Sequence, residues 1–398
     1  MKKINKIFTK RFWIAIYSVF LGLSTFVISK FNKKKYWLIS ERAHEARDNG
    51  YHLFSYIMNN SKNDKTYYAI KLKSNDLKKI QKFKNNVVNF GSYKHWLIFW
   101  NSSILISTHI DGYVPNNDAY KLISKIFKAK GKKVFLQHGI TKDNLPQLYY
   151  EKTKLDLFIC GAKPEYEYIK NNFNYPDNIV KYTGLCRYDN LNNNNIKNII
   201  LVIPTFRMEF YIPSGEKINL SIEKKFVNSD FYNNYNKMLN DQKLNNILKK
   251  YNYKLYFYPH SEMQKYLKYF NSNLSNIKIV KSEDMDIQHL LKISKVMITD
   301  YSSVFFDFAY MNKKIYYFQF DKDLYRNKHY KAGYYDYVKN GFGEVFDNYN
   351  ELISTLKKDF NNDFEINDIY MKRINDFFKI RDNENCLRNY NEIINIEK

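Results

Sequence analysis

An uncharged, almost wholly apolar run from Phe12 to Ser29 stands near the start of the chain. Lys2, Lys3, Lys6, Lys10 and Arg11 precede it, and Lys30, Lys33, Lys34 and Lys35 follow. Crossing the hydrocarbon core of a bilayer takes roughly 20 apolar residues, so the run is just long enough. It lacks a convincing small-residue cleavage site for a signal peptide. Cations on both flanks set no orientation, but they favour an interface rich in anionic lipid. The expectation is a membrane-associating segment over 1–35, spanning the bilayer or lying in its interface. The alternative is a buried helix of the globular body.

From Tyr36 onward short apolar runs alternate with amphipathic stretches. The pattern predicts strands over 36–40, 66–72, 86–90, 103–108, 132–139 and 156–161. Helices are predicted over 49–59, 76–83, 120–130 and 164–171. A polar run, LNNNNIKN at 191–198, is the clearest break in composition. The alternation then restarts, with strands over 198–204, 253–260, 277–282, 295–300 and 314–320. Helices follow over 237–250, 263–270, 286–293 and 302–311, with 206–231 reading as a loop insertion and 351–398 as mostly helical. Strands alternating with helices imply parallel sheets covered on both faces. The fold class is therefore α/β, with two Rossmann-like doubly wound domains and a cleft at the carboxyl ends of their strands. The domain plan is 1–35, 36–190, a linker at 191–198, 199–375 and a C-terminal helix over 376–398.

Composition narrows the function classes. The chain has 398 residues and is 44% apolar, which excludes a disordered chain. Mean hydropathy is -0.58, which excludes a polytopic membrane protein. Lys and Arg number 64 against 40 Asp and Glu, a net charge of +24. Such a charge suits polyanionic partners. A bias toward Lys, Asn, Ile and Tyr, the residues of AT-rich codons, accounts for it equally well. Cys160, Cys186 and Cys386 are widely spaced and odd in number, so there is no disulfide framework or zinc spacing.

The chemistry-bearing residues fall at predicted strand ends, where open α/β sheets bind ligands. Gln137-His138-Gly139 ends one strand. A neutral imidazole can take a proton there, and Gly139 lets a substrate approach the backbone. Pro204-Thr205-Phe206-Arg207 ends another strand, and Arg207 can fork onto a phosphate. Tyr258-Pro259-His260 ends a third. Asp300-Tyr301-Ser302-Ser303 ends a fourth and opens a helix, whose N–H groups with two hydroxyls would make a phosphate cradle. Each has a plainer reading: a hydrogen-bonded loop histidine, a surface arginine, a simple helix cap. Thr183 to Asp189 carries Gly184 for a turn and Arg187 with Asp189 as a structural pair. The sequence has no P-loop, no Gly-x-Gly-x-x-Gly, no Gly-x-Ser-x-Gly and no metal-binding helix spacing.

Taken in order, QHG, TGLCRYD, PTFR, YPH and TDYSSVFFD resemble the CDP-glycerol glycerophosphotransferase family of teichoic acid polymerases and primases. WLISERAHEARDNGYHLF looks like the family's opening strand and acidic loop. RDNENCLR resembles its closing segment, without the glycine expected after Asp-Asn. The resemblance covers about residues 36 to 390. It implies a GT-B-like pair of Rossmann-type domains, with acceptor over 36–190 and CDP donor over 199–375. It also implies transfer of a polyol phosphate from a CDP-activated donor to an acceptor hydroxyl, releasing CMP. Under that resemblance His138 is the base and His260 a contact to the pyrophosphate or leaving phosphate. Arg207, Asp300, Ser302, Ser303 and Asp307 surround the donor, and Gly139, Arg187 and Asp189 support the site. Family members often read Thr-Trp-His-Gly-Thr where this chain has Leu-Gln-His-Gly-Ile, which leaves the acceptor open.

No acidic metal pair is evident, so neither metal nor cofactor is expected. The expected partners are a CDP-polyol, a lipid-linked glycan or polymer acceptor, and anionic lipid at the cytoplasmic face of the membrane, with no nucleic acid. Two other readings compete. A nucleotide-sugar transferase of the same fold would normally show an acidic ribose-binding pattern in the second half. A basic lipid- or RNA-binding protein explains the charge but not histidines at matching strand ends.

Overall fold

A computed structural model describes residues 2–32, 34–61, 65–191, 193, 195–212, 218–328 and 331–398, with side chains from residue 12 on except that of Ser261. The chain forms two compact units. The first comprises Met1–Ile140, Pro146–Asn190 and Ile380–Lys398; the second comprises Thr141–Leu145 and Leu191–Lys379.

In the first unit the strands are β1 (Tyr36–Ser40), β2 (Thr66–Ile70), β3 (Val87–Asn89), β4 (Ser102–Ser107), β5 (Lys132–Phe135), β7 (Leu157–Cys160) and β8 (Val180–Tyr182). They form one sheet in the order β3-β2-β1-β4-β5-β7-β8, parallel throughout. Its helices are α1 (Lys2–Ser29), α2 (Asn49–Asn60), α3 (Tyr93–Asn101), α4 (Asn117–Ile123), α5 (Tyr150–Thr153), α6 (Lys163–Asn172) and α15 (Asn385–Glu397). Successive side chains of a strand point to opposite faces. Trp37 and Ile39 of β1 accordingly join one core with Leu53 and Phe54 of α2 and Ile393 of α15, while Leu38 joins the other with Trp96 and Phe99 of α3. Both faces are covered, which is why the strands read as continuous apolar runs.

The second unit repeats the plan with β9 (Lys197–Ile203), β10 (Lys254–Phe257), β11 (Ile277–Ile279), β12 (Ser294–Thr299), β13 (Lys314–Phe318) and β15 (Gly343–Phe346). Their order is β11-β10-β9-β12-β13-β15, again parallel. A short antiparallel pair, β6 (Asp143–Asn144) with β14 (Lys331–Ala332), stands apart. The helices are α7 (Leu220–Val227), α8 (Asp230–Leu239), α9 (Gln242–Lys250), α10 (Ile287–Ile293), α11 (Phe305–Tyr310), α12 (Lys322–Lys328), α13 (Tyr349–Asp359) and α14 (Asp368–Phe377).

Several expectations change. α3 was not anticipated: HWLIFW is apolar on every side and gives no period, and the cap is Ser92, which accepts from the His95 N–H. The expected insertion over 206–231 contains α7 and the start of α8, capped by Asn219 and Ser229; residues 213–217 lie outside the described residues. The single helix expected over 237–250 is two, because the Asp241 carboxylate accepts from the Lys243 and Leu244 N–H groups and starts α9 afresh. Of the expected linker 191–198, Asn192 and Asn194 lie outside the described residues, and β9 already begins at Lys197. The segment 376–398 is not one helix: α14 ends at Phe377 in the second unit, and α15 packs against α2 in the first.

α1 is the one helix among the described residues long and apolar enough to cross a membrane. Its later half is docked on α3 and α4. Trp96 Nε1 donates to Ser18 Oγ at 3.2 Å, and Trp100 Nε1 donates to the Gly22 carbonyl at 2.9 Å. Leu21 and Thr25 are buried on the same stripe, whereas Trp13 and Phe20 are 65% and 67% exposed.

Candidate active site

In the first sheet the strand order reverses between β1 and β4, and β5 lies next to β4. Loops leaving such a switch point converge. The buried Glu41, just past β1, accepts N–H bonds from Arg47 at 3.0 Å, Asp48 at 3.1 Å and Tyr51 at 2.6 Å, fixing the loop into α2. Burial and then the Asp48 charge push its pKa up to about 8. Asp48 caps α2 and pairs with Arg187 Nη1 at 2.8 Å. The same Nη1 donates to the His138 carbonyl at 3.1 Å. Asn49 Nδ2 donates to the Gln137 carbonyl at 2.8 Å.

Gln137 itself is left-handed, at φ 59°. A non-glycine residue is held there only when its surroundings over-determine it. Its amide supplies the hold, donating to the Ile159 carbonyl at 3.0 Å and to Glu165 Oε1 at 2.8 Å. His138 follows; the residue reaches solvent while its ring is packed against His109 and the Thr108 carbonyl. Its Nδ1 lies 3.3 Å from the Thr108 carbonyl. A carbonyl only accepts, so Nδ1 carries the proton and Nε2 keeps its lone pair. Burial lowers the pKa of this group; Asp48 and the Thr108 bond oppose the shift, and Arg42 and Arg187 reinforce it. The imidazole is therefore neutral at pH 7, as a base must be. His109 stacks on it at 4.7 Å and 5°.

The second sheet reverses between β9 and β12. Arg207, just past β9, is 4% exposed. Its Nε and Nη2 fork onto Asp321 at 2.7 and 3.1 Å, Nη2 also reaches Asp300 at 2.8 Å, and Nη1 donates to the Thr205 carbonyl at 2.7 Å. These two carboxylates raise its pKa against the effect of burial. Tyr301 and Tyr325, themselves stacked at 3.8 Å, lie beside the guanidinium. The expectation of an open phosphate fork at Arg207 is thus corrected: the fork is filled by buried carboxylates. Asp300, fully buried, accepts from the Thr205 N–H at 2.8 Å, so it ties β9 to β12 rather than capping α11.

Ser302 and Ser303 remain partly exposed between β12 and α11, while Asp307 is buried within α11. His260 caps a 3-10 helix: its Nδ1 accepts from the Glu262 N–H at 3.3 Å, which places the proton on Nε2. Its ring lies 5.3 Å from that of Phe206 in the Pro204–Arg207 loop. The two histidines are thus opposite tautomers, His138 presenting an acceptor at Nε2 and His260 a donor.

The pairing expected between Arg187 and Asp189 is also corrected. Arg187 pairs with Asp48, and Asp189 accepts from the Asn385 and Cys386 N–H groups at 2.9 and 2.8 Å. Within the first unit the structure gathers His138, Arg187, Asp48 and His109. Within the second it gathers Arg207 with Asp300 and Asp321. Sequence reasoning missed Asp48, His109 and Asp321. The strand-end rule alone would have found His109, two residues past β4. Among the described residues no group of three His, Cys, Asp or Glu side chains is arranged to hold a metal.

Residues 22–395 match the model of CDP-Glycerol:Poly(glycerophosphate) glycerophosphotransferase. The chain belongs to this family. The family is the one its motifs resemble, and the match begins within α1. The minor teichoic acid biosynthesis protein GgaB of Bacillus subtilis (strain 168) is 35% identical over 376 residues, covering 93% of this chain and 41% of GgaB. The chain thus spans about two fifths of that relative's length. The teichoic acid poly(glycerol phosphate) polymerase of the same organism is 27% identical over 203 residues, 50% of this chain and 24% of the polymerase. Among solved structures, the wall teichoic acid polymerase TagF superposes with a TM-score of 0.67 at 15% identity, covering 100% of this chain and 96% of that one. At that identity the likeness shows the fold.

Proposed function

We propose that this glycerophosphotransferase-family chain moves a glycerol or ribitol phosphate from a CDP-activated donor to an acceptor hydroxyl, releasing CMP, in synthesis of teichoic acid or a teichoic-like capsule polymer. The observation that carries the reading is His138, held at a sheet switch point with Nδ1 3.3 Å from the Thr108 carbonyl, which leaves Nε2 as the acceptor. Relatives support it: they include polymerases named for poly(glycerol phosphate) and poly(ribitol-phosphate), and a TagF variant soaked with CDPG has the same fold.

The chemistry follows from the side chains. The acceptor oxygen attacks the β-phosphorus of the CDP-polyol as its proton passes to His138 Nε2. The bond from the β-phosphorus to the bridging oxygen breaks, and CMP departs with the electron pair. Asp48, whose charge acts on the ring, offsets that of the imidazolium. In the second unit, Nε2–H of His260 and the hydroxyls of Ser302 and Ser303 are donors suited to the donor's phosphates. Arg207 and Asp300 keep the loops that carry them in place. The exposed face of α1, flanked by lysines, attaches the enzyme to anionic lipid near a lipid-linked acceptor. CMP release measured separately with CDP-glycerol and CDP-ribitol tests the reading: one of them must turn over, and turnover with neither overturns it.

A further inference from the structure

We propose that His109 is a positioning residue for His138: its ring clamps the His138 imidazole so that Nδ1 stays on the Thr108 carbonyl and Nε2 keeps its lone pair for the acceptor hydroxyl. The proposal rests on the base role given above to His138. Both restraints come from consecutive residues just past β4. The sheet sets them level with His138, because Ser107 pairs with Phe135 in register and the Leu136 N–H donates to the Ser107 carbonyl at 2.9 Å.

A bond of 3.3 Å to one carbonyl is long. The χ2 torsion of histidine is broad and roughly two-fold. That bond alone would leave the ring free to turn about χ2, carrying Nδ1 off the Thr108 carbonyl and releasing the tautomer. A ring stacked parallel to it at 4.7 Å opposes that turn. His109 is itself fixed: its N–H donates to Ser107 Oγ at 3.1 Å, its Nδ1 is 2.9 Å from Thr108 Oγ1, and its carbonyl accepts from the Gly112 N–H at 3.0 Å.

Charge sharpens the assignment. Asp48 and Arg42 from the β1 loop and Arg187 from the segment after β8 act on these rings. Burial, then the His138 charge, lowers the His109 pKa to about 3. The clamp is therefore uncharged at any working pH and does not oppose the imidazolium formed on His138 during transfer.

The test uses the full chain with 15N-labelled histidine. The tautomer and titration of His138 are read by NMR in the native protein and in His109→Phe, His109→Leu and His109→Ala. Activity with the turned-over CDP-polyol is measured against pH in parallel. Phe keeps a flat face; Leu fills the space without one. The native protein and His109→Phe should hold the Nδ1–H tautomer. His109→Leu and His109→Ala should show mixed tautomers and a kcat lower by about tenfold to a hundredfold, with KM for the donor little changed. Their acid limb should move up in pH, because the ring gains water and its pKa returns toward 6.5. An unchanged tautomer and kcat in the folded Leu variant overturns the clamp, as does a Phe variant impaired as deeply as Ala. If the native protein releases no CMP, the function reading fails, and the NMR comparison still decides the clamp.

Discussion

His138 and Arg207 look alike in the sequence, each polar at the end of an apolar strand, yet the fold gives them different work. His138→Ala should leave a folded protein whose CMP release is about 10²–10⁴-fold slower. Near-native turnover would remove the base assignment. The pH dependence follows from the direction of the shift. Transfer needs the neutral ring, and burial lowers its pKa, so activity should persist below 6.5 and fail only as pH drops through the lowered value. Asp48→Asn removes the group that raises that pKa, so its acid limb should lie lower still, with a reduced kcat. Arg207→Ala strands two buried carboxylates, a loss of about 3–5 kcal/mol in unfolding experiments with urea. A variant of native stability with a raised donor KM would instead make Arg207 a phosphate ligand. The histidine was legible because its strand and glycine neighbour are local. The pairing of Arg207 with Asp321, 114 residues away, was not, since only strand order brings them together.

At the scale of elements, the strands were the most legible feature, because parallel strands covered on both faces are short apolar runs with clear ends. The helices were less so. HWLIFW shows no helical period because α3 is buried by the sheet on one side and by α1 on the other. The same contact changes what α1 is. As a free tether, residues 1–35 could be deleted without harm to the body. Because Ser18, Leu21 and Gly22 cover Trp96 and Trp100, deletion should instead give an insoluble or destabilised protein. Substituting the exposed face, Phe20→Asn with Val27→Asn, should leave the melting temperature unchanged while reducing flotation with anionic vesicles. Soluble, stable protein after deletion of 1–35 would return α1 to the role of a detachable anchor. Unaltered flotation of the double variant would take its exposed face off the membrane.

At the scale of the whole molecule, two restarted α/β patterns announced two Rossmann-like units, but not where the chain crosses between them. A helix-forming pattern after 379 does not say which sheet it covers; side-chain contacts decide that. α15 has no side-chain cap of its own at Glu384. Its cap comes from Asp189, which accepts from the Asn385 N–H, the Asn385 amide at 2.6 Å and the Cys386 N–H. Gly184, at φ 82°, makes the approach possible, since a Cβ there would lie 1.8 Å from Asn385 Oδ1. The same Cys186–Asn190 segment carries Arg187, which holds Asp48 and the His138 carbonyl. The segment after 379 is therefore coupled to the base through one short 3-10 turn. Asp189→Ala should uncap α15 and cost about 1–2 kcal/mol. That should lower the melting temperature by a few degrees and reduce kcat, although Asp189 touches no reacting atom. Asp189→Asn, which keeps one acceptor oxygen, should fall between. A loss of stability with untouched kcat would confine the cap to the fold. A native melting temperature in the Ala variant would show that α15 is held by its apolar face alone, through Ile393 and the packing of Tyr390 on Trp37 at 5.7 Å.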